Sequence, residues 1–419
     1  MMVVKAALTS LPLEVIWMVL ESILWNRRDL LSLCCVKVFA TVATQLFYRH
    51  FEGSIHRFLA TLALKPELAR HVKSVTLDDP HQVRRLRLLR RWERLEQSVY
   101  HRSIKQLAVP SHVKDNWVRS LRKGDSGTVV ALFLAHLPNL ARLTIREGSM
   151  VPLTIPFWTQ SSPLAWFSGS EPGSLTFGCL EEVTLHTLPF PLQDFYFLFE
   201  LPTVRKLHVH NMTERRSVHR ELRPWSSNII DLGLHAVSVS SLGLLQMVSA
   251  CRNLAHFAIT DLRQQEIPGD FCALVAALSL HEHTLTTLKL RRLGGRSRER
   301  APCSLRTFSS LREMDCDASV FDGAVSERPL SVLMPPLVRR ICIHDAHTRF
   351  LHRLGGVKAI QADLVGPTGS RRPLERLEEA KFVCAVEPSG DPAPYNSDEG
   401  GVAFAVENPH GSFAGWGWG

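Results

Sequence analysis

VRKLHVH at 204–210, IIDLGLH at 229–235 and LAHFAIT at 254–260 decide the fold of this chain. Each stretch has the form apolar-x-x-apolar-x-apolar. In an extended segment side chains alternate between faces, so the last two apolar residues point the same way. The middle apolar positions, Leu207, Leu232 and Phe257, recur every 25 residues. A fixed period of this size marks a repeat architecture, in which each copy buries its apolar face against its neighbours.

Further copies lie on both sides. They read Leu140-Leu143-Ile145, Leu180-Val183-Leu185, Leu285-Leu288-Leu290, Leu311-Met314-Cys316 and Val338-Ile341-Ile343. From residue 143 to 341 the middle positions are spaced by 40, 24, 25, 25, 31, 26 and 27 residues. Two earlier candidates are Val72-Val75-Leu77 and Ile104-Leu107-Val109, separated by insertions. Between copies the apolar period becomes helical, as at Leu242, Leu245 and Val248, or Phe271, Leu274, Val275 and Leu278. Strand alternating with helix implies parallel pairing through crossovers. LPNL, CRNL and LPTV before the strands resemble the helix-to-strand turns of leucine-rich repeats. The consensus asparagine is mostly missing, so the repeats are irregular. A non-repeating α/β domain with chance matches is the alternative; the three consecutive spacings of 24 and 25 favour the repeat.

The N-terminal stretch 8–52 reads LTSLPLEVIWMVLESILWNRRDLLSLCCVKVFATVATQLFYRHFE. Pro12 suits a first helical turn. Leu13, Ile16, Leu20, Ile23 and Leu24 then recur at helical spacing, with Trp17 widening the stripe. Asp29 is the expected N-cap of a second helix carrying Leu30, Leu33 and Val36. A third helix is expected from about Thr41, carrying Ala43, Leu46 and Phe47. So few residues bury three such helices poorly, which implies a partner.

Leu11-Pro12, Glu14-Val15-Ile16, Leu20, Leu24, Asp29-Leu30-Leu31-Ser32-Leu33, Val36-Lys37-Val38-Phe39 and Leu46-Phe47-Tyr48-Arg49 follow in the order of an F-box, and the stretch resembles one of fungal form. The Cys34-Cys35 pair departs from the usual pattern. The resemblance implies binding to the Skp-type adaptor of cullin–RING ubiquitin ligases. It puts the adaptor contacts at Leu11, Pro12, Ile16, Leu20, Leu30, Val36 and Phe39, some of which must serve the domain's own core. An F-box followed by irregular leucine-rich repeats is similar to the substrate receptors of SCF ubiquitin ligases. The implied architecture is α/β: a small all-α F-box at 8–52, a helical linker with irregular first repeats at 53–135, and a leucine-rich-repeat-like solenoid of parallel strands with helical returns at 136–350. A C-terminal cap at 351–387 and a disordered Pro/Gly-rich tail at 388–419 complete it. The implied role is non-catalytic: the chain would hold an unknown client protein near ligase machinery carried by other subunits, the cullin among them. A repeat scaffold with no ligase role, and a basic nucleic-acid-binding protein, are the alternatives.

The residue after each third apolar position describes the exposed strand face. These residues are Arg146, His186, His210, His235, Thr260, Arg291, Asp317 and His344, and Lys206, His208 and His256 share that face. Adjacent strands lie about 4.8 Å apart, so the histidines are expected to stack as a ladder. Client contacts are expected at Arg146, His186, Lys206, His208, His210, His235, Arg291 and His344. Glu313, Asp315 and Asp317 make the later part acidic. The row reads as a solvated polar face, as a protonation-sensitive partner strip, or as a His-ligated metal site. No Cys, Asp or Glu at matching register is expected to complete the last, so no metal or other cofactor is expected.

Charge and cysteine usage bound the remaining classes. The 419 residues carry a formal charge of +9 and 45% hydrophobic residues. The excess is local, in Arg84, Arg85, Arg87, Arg90, Arg91 and Arg94 and in Arg291, Arg292, Arg296, Arg298 and Arg300. A helix with Val83, Leu86, Leu89, Leu95 and Val99 on its apolar side would place the first cluster on a solvated face. Aromatic platforms between the basic residues are lacking, so nucleic acid is not the expected partner. The nine cysteines include no CxxC, and free thiols in the cytoplasm or nucleus are expected. No apolar run is long enough to span a bilayer, and no nucleotide or hydrolase motif is present.

Overall fold

The computed structural model describes residues 27–36, 40–52, 55–77, 93–107, 111–122, 126–146, 177–191, 196–213, 221–260, 271–291, 304–321, 329–344, 363–364, 374, 376–383, 395–397 and 403–407. They belong to two compact units, 1–188 with 200–204, and 189–199 with 205–419.

The first unit opens with α1 (Arg27–Cys34) and α2 (Ala40–Arg49), which run into the short strand β1 (His50–Glu52). Asp29 therefore lies within α1 rather than at its expected N-cap. Val42 and Ala43 are fully buried in α2. α3 (Ile55–Leu64) and a 3-10 turn (Pro66–His71) precede β2 (Ser74–Leu77). Then come α4 (Glu93–Gln106), α5 (Ser111–Arg122), α6 (Ser126–Ala135), β3 (Arg142–Arg146) and β4 (Glu182–Pro191). The strands pair in parallel, with Phe51↔Val75, Val75↔Leu143 and Leu143↔Val183 in one row. All four side chains are buried. The end of the F-box-like stretch thus supplies the first rung of the sheet. Phe51 stacks on Phe58 at 4.7 Å and meets Phe133 at 5.0 Å, while Tyr48 stacks on Phe58 at 5.6 Å. These aromatic contacts add to the burial that holds the helices on the strands.

The candidate copy at Ile104-Leu107-Val109 is helical at its start, and Val109 lies outside the described residues. Ile104 belongs to α4, where Ser103, Ile104 and Leu107 are buried together, the spacing of a helix face. A lone apolar-x-x-apolar fits either period, and here the helix wins.

The second unit contains α7 (Tyr196–Glu200), β5 (Lys206–Thr213), β6 (Asp231–His235), α8 (Ser241–Ala250), β7 (His256–Thr260), α9 (Phe271–Leu278), β8 (Thr287–Arg291), β9 (Glu313–Asp317), α10 (Leu330–Leu333), β10 (Arg340–His344), β11 (Glu379–Val383), β12 (Tyr395–Ser397) and β13 (Ala403–Glu407). Its strands run in the order β5-β6-β7-β8-β9-β10-β11-β13-β12, parallel throughout except the last pair. The repeat register is kept from strand to strand. Leu207, Leu232, Phe257, Leu288, Met314, Ile341 and Ala380 pair in one row. Val209, Leu234, Ile259, Leu290, Cys316, Ile343 and Phe382 form the next. Every one of these side chains is at most 2% exposed. Burial of one aliphatic or aromatic side chain of this kind contributes roughly 1.5–3 kcal/mol.

One backbone pattern repeats at each strand entry. The carbonyl of Arg205 accepts from the amides of both Ile230 and Asp231, and that of Ile230 from Ala255 and His256. Ala255, Thr286, Arg312 and Arg339 continue the series, and Lys73 and Ala141 do the same within the first unit. Each copy therefore fixes where the next begins, which keeps the register across intervals of unequal length.

The helical return α8 is capped by Ser240, whose hydroxyl accepts from Gly243 N at 3.1 Å. Its buried face is Leu244, Met247 and Val248, whereas Leu242, expected to face inward, is 60% exposed. In α9, Leu274 and Leu278 are buried as expected. β11 falls within the expected cap and continues the parallel ladder from β10. The tail expected to be disordered carries β12 and β13, with β13 parallel to β11. Ala403-Phe404-Ala405-Val406 alternates small and large residues, a strand period embedded in a polar composition. Among the described residues no helix is long and apolar enough to cross a membrane.

Candidate protein-binding face and polar cluster

Of the expected adaptor contacts, Leu11, Pro12, Ile16, Leu20 and Phe39 lie outside the described residues. The other two separate by burial. Leu30 is 8% exposed and belongs to the chain's own core, while Val36 is 38% exposed. Leu31, outside the expected set, is 51% exposed. α1 and α2 are joined by Thr44, whose hydroxyl donates to Cys34 Sγ at 3.7 Å. Burial, with the Cys34 thiol second, raises the Tyr48 phenol above its ordinary range. Cys34, Cys35, Cys179, Cys251, Cys316 and Cys342 are free thiols, as expected.

The outward strand residues follow from alternation. In the first unit Arg146 and His186 pair in register on β3 and β4. In the second, His210↔His235, His235↔Thr260 and Thr260↔Arg291 form one row. The expected ladder is present here as a pair: the rings of His210 and His235 stack at 4.3 Å with an interplanar angle of 17°. His235 Nδ1 contacts Thr260 Oγ1 at 2.6 Å. His208 sits in the middle row, 6.2 Å from His235, with Nε2 3.3 Å from Asp231 Oδ1. Burial pushes the Asp231 carboxyl up, but the hydrogen bond and charge of His208, backed by His256 and Lys206, bring it below the ordinary range. Gly233 makes the cluster possible, because a Cβ there would lie 2.9 Å from His208 Nδ1.

Three strands further on, a second cluster occupies the same face. His344 Nε2 lies 2.9 Å from Asp315 Oδ1 and 3.1 Å from Cys342 Sγ. His344 Nδ1 lies 3.1 Å from Arg291 Nη2. Arginine can only donate, so Nδ1 accepts and the ring proton sits on Nε2. Lys289 Nζ is 3.4 Å from Asp315 Oδ2, and Arg291 Nε is 3.8 Å from Oδ1. Burial again raises the Asp315 carboxyl, and His344, Lys289 and Arg291 draw it net below its usual value. Burial and the Asp315 charge push the Cys342 thiol up to about 12. The cluster is not a nucleophile–base–orienter chain: thiol and carboxylate both face Nε2, whereas such a chain needs them on opposite nitrogens.

This cluster corrects one expectation. No Cys, Asp or Glu was expected to complete a site with the histidines, yet Asp315 and Cys342 converge on His344. They belong to the middle row, paired with each other across β9 and β10. Comparing neighbouring rows as well as one row would have revealed them.

No protein-family model matches the chain, and no curated protein matches it either.

Proposed function

We propose that the chain is a non-catalytic substrate-recruiting subunit of an SCF-type ubiquitin ligase, binding a Skp-type adaptor through its N-terminal helices and a client protein through its polar strand face. The observation that carries this reading is the succession within one chain of a helical pair, in the stretch that resembles an F-box, and a register-kept ladder of parallel strands at about the spacing of leucine-rich repeats. The pair leaves Leu31 and Val36 uncovered, 51% and 38% exposed, as an adaptor contact requires. The ladder holds Lys206, His208, His210, His235, Arg291 and His344 on rigid strands, which suits recognition without induced ordering. Arg146 and His186 offer similar chemistry on the first unit. The contribution to catalysis is positional: client held near the charged ubiquitin carrier reacts at a raised effective concentration.

The test is co-expression of the full chain with a Skp-type adaptor, followed by size-exclusion chromatography. A stoichiometric complex is expected. Leu31→Asp with Val36→Asp is expected to break it while leaving the chain folded, since both side chains are exposed. A folded chain that never co-elutes with the adaptor would leave a repeat scaffold without a ligase role.

A further inference from the structure

We infer that Asp315, Cys342 and His344 form a binding site for a soft divalent metal ion, zinc being the best match. The inference stands independently of the ubiquitin reading. It rests on the convergence of three different donors: a carboxylate oxygen, a thiol sulfur and an imidazole nitrogen, all within 4.8 Å of one another. This mixed O/N/S set matches zinc better than the hard cations, which take oxygen ligands.

The distances are close to those a tetrahedral ion imposes. Bonds of about 2.0–2.3 Å place neighbouring ligand atoms roughly 3.3–3.6 Å apart. Here Nε2 is 2.9 Å from Asp315 Oδ1 and 3.1 Å from Cys342 Sγ. An opening of roughly half an ångström would admit the ion, within reach of small side-chain rotations. The donors stand on adjacent, hydrogen-bonded strands, with Asp315↔Cys342 in register, so their backbone is already placed. Asp315 Oδ1 is buried, with His344 Nε2 2.9 Å away as its near polar neighbour. Asp315 and His344 are each 14% exposed, so the site is largely shielded from water. Three protein ligands leave a fourth position open for water or for a side chain of a bound protein.

Two cations oppose loading, and one of them supplies the sharpest test. Lys289 and Arg291 neutralise Asp315, and Arg291 also donates to His344 Nδ1. Ligation through Nε2 moves the ring proton to Nδ1, where it meets the guanidinium. Arg291 must then swing away, so it competes with the ion. Cys342 binds as the thiolate and its proton leaves to solvent; the imidazole exchanges tautomers with no net proton change.

Cobalt(II), which reports thiolate ligation by a sulfur-to-metal charge-transfer band, is titrated into the metal-stripped full chain. We expect the band to saturate at one ion per chain and to persist in Cys35→Ser. It disappears in Cys342→Ser and in His344→Ala. Arg291→Ala should tighten cobalt binding by about tenfold, the scale of outer-shell effects on metal affinity. Far-ultraviolet circular dichroism checks that each stripped variant is folded. If Cys342→Ser fails that check, His344→Ala and Arg291→Ala decide. No band, a band that survives His344→Ala or a folded Cys342→Ser, or an Arg291→Ala chain that binds no tighter would overturn the inference.

Discussion

Gly233→Ala is the sharpest probe of the histidine face. An ideal Cβ at this position would lie 2.9 Å from His208 Nδ1, 3.1 Å from His208 Cγ and 3.2 Å from His235 Nε2. His208 Cγ is next to its own Cβ, so a tilt of the ring about χ2 relieves the Nδ1 contact but not the Cγ contact. Moving Cγ as well takes a turn about χ1, which costs about 0.5–1.5 kcal/mol if the ring leaves its rotamer. The turn also breaks the 3.3 Å contact with Asp231, a half-exposed pair contributing roughly 0–1 kcal/mol. Against this, alanine in a strand gains about 0.5–1 kcal/mol over glycine. The net expectation is a loss of about 1 kcal/mol. In a His208→Ala background the obstruction is gone and only the flexible tip of His235 remains, so the same substitution should stabilise by about 0.5 kcal/mol. Guanidinium denaturation of the four chains of this double-mutant cycle reads the coupling as midpoint shifts at constant slope. A cycle with no coupling, or a stabilising Gly233→Ala in the otherwise unchanged chain, would refute the packing argument.

Phe257→Ala should cost about 3–5 kcal/mol, because the ring is 1% exposed in the middle of the inward row; thermal unfolding checks it. Ala236 holds φ at 52°, a left-handed conformation that glycine adopts without penalty, so Ala236→Gly should stabilise by roughly 1 kcal/mol in the same assay. Burial lowers the His136 pKa from 6.5 to about 4. The unfolded chain then binds more protons between these values, so the contribution is complete above pH 6.5 and lost as pH falls toward 4. Its size is at most roughly 3 kcal/mol, and His136→Gln should flatten the stability–pH curve in that window. A curve that stays equally steep would place the acid sensitivity elsewhere.

The parallel strand ladder is legible because its signal is periodic and redundant. Leu207, Leu232 and Phe257 share a row in the structure at the spacing the sequence shows. Single copies were less secure. Ile104-Leu107 matches the repeat as well as Leu140-Leu143 does, and the burial of Ser103 beside it marks a helix. Leu242 was misplaced because a ten-residue helix has two overlapping apolar stripes, and packing chooses the one through Leu244, Met247 and Val248. Phe51 was assigned to the helical stretch, although His50-Phe51-Glu52 alternates polar and apolar as a strand does. The strands at 395–397 and 403–407 were hidden by a composition that reads as disorder. The histidine pair followed from register alone. The meeting of Asp315, Cys342 and His344 did not, because it depends on side chains leaning between rows.

The paired-amide carbonyls also say where this molecule could be cut and rejoined. From the carbonyl of Arg205 to that of Ile230 is 25 residues, and from Ile230 to Ala255 is 25 more. Each such interval begins and ends on the same pair of hydrogen bonds. A second copy of 231–255 spliced after Ala255 would present the next strand with the donors and acceptors it already meets. Length, and with it the area of the polar face, is therefore a quantity this architecture can change by whole intervals.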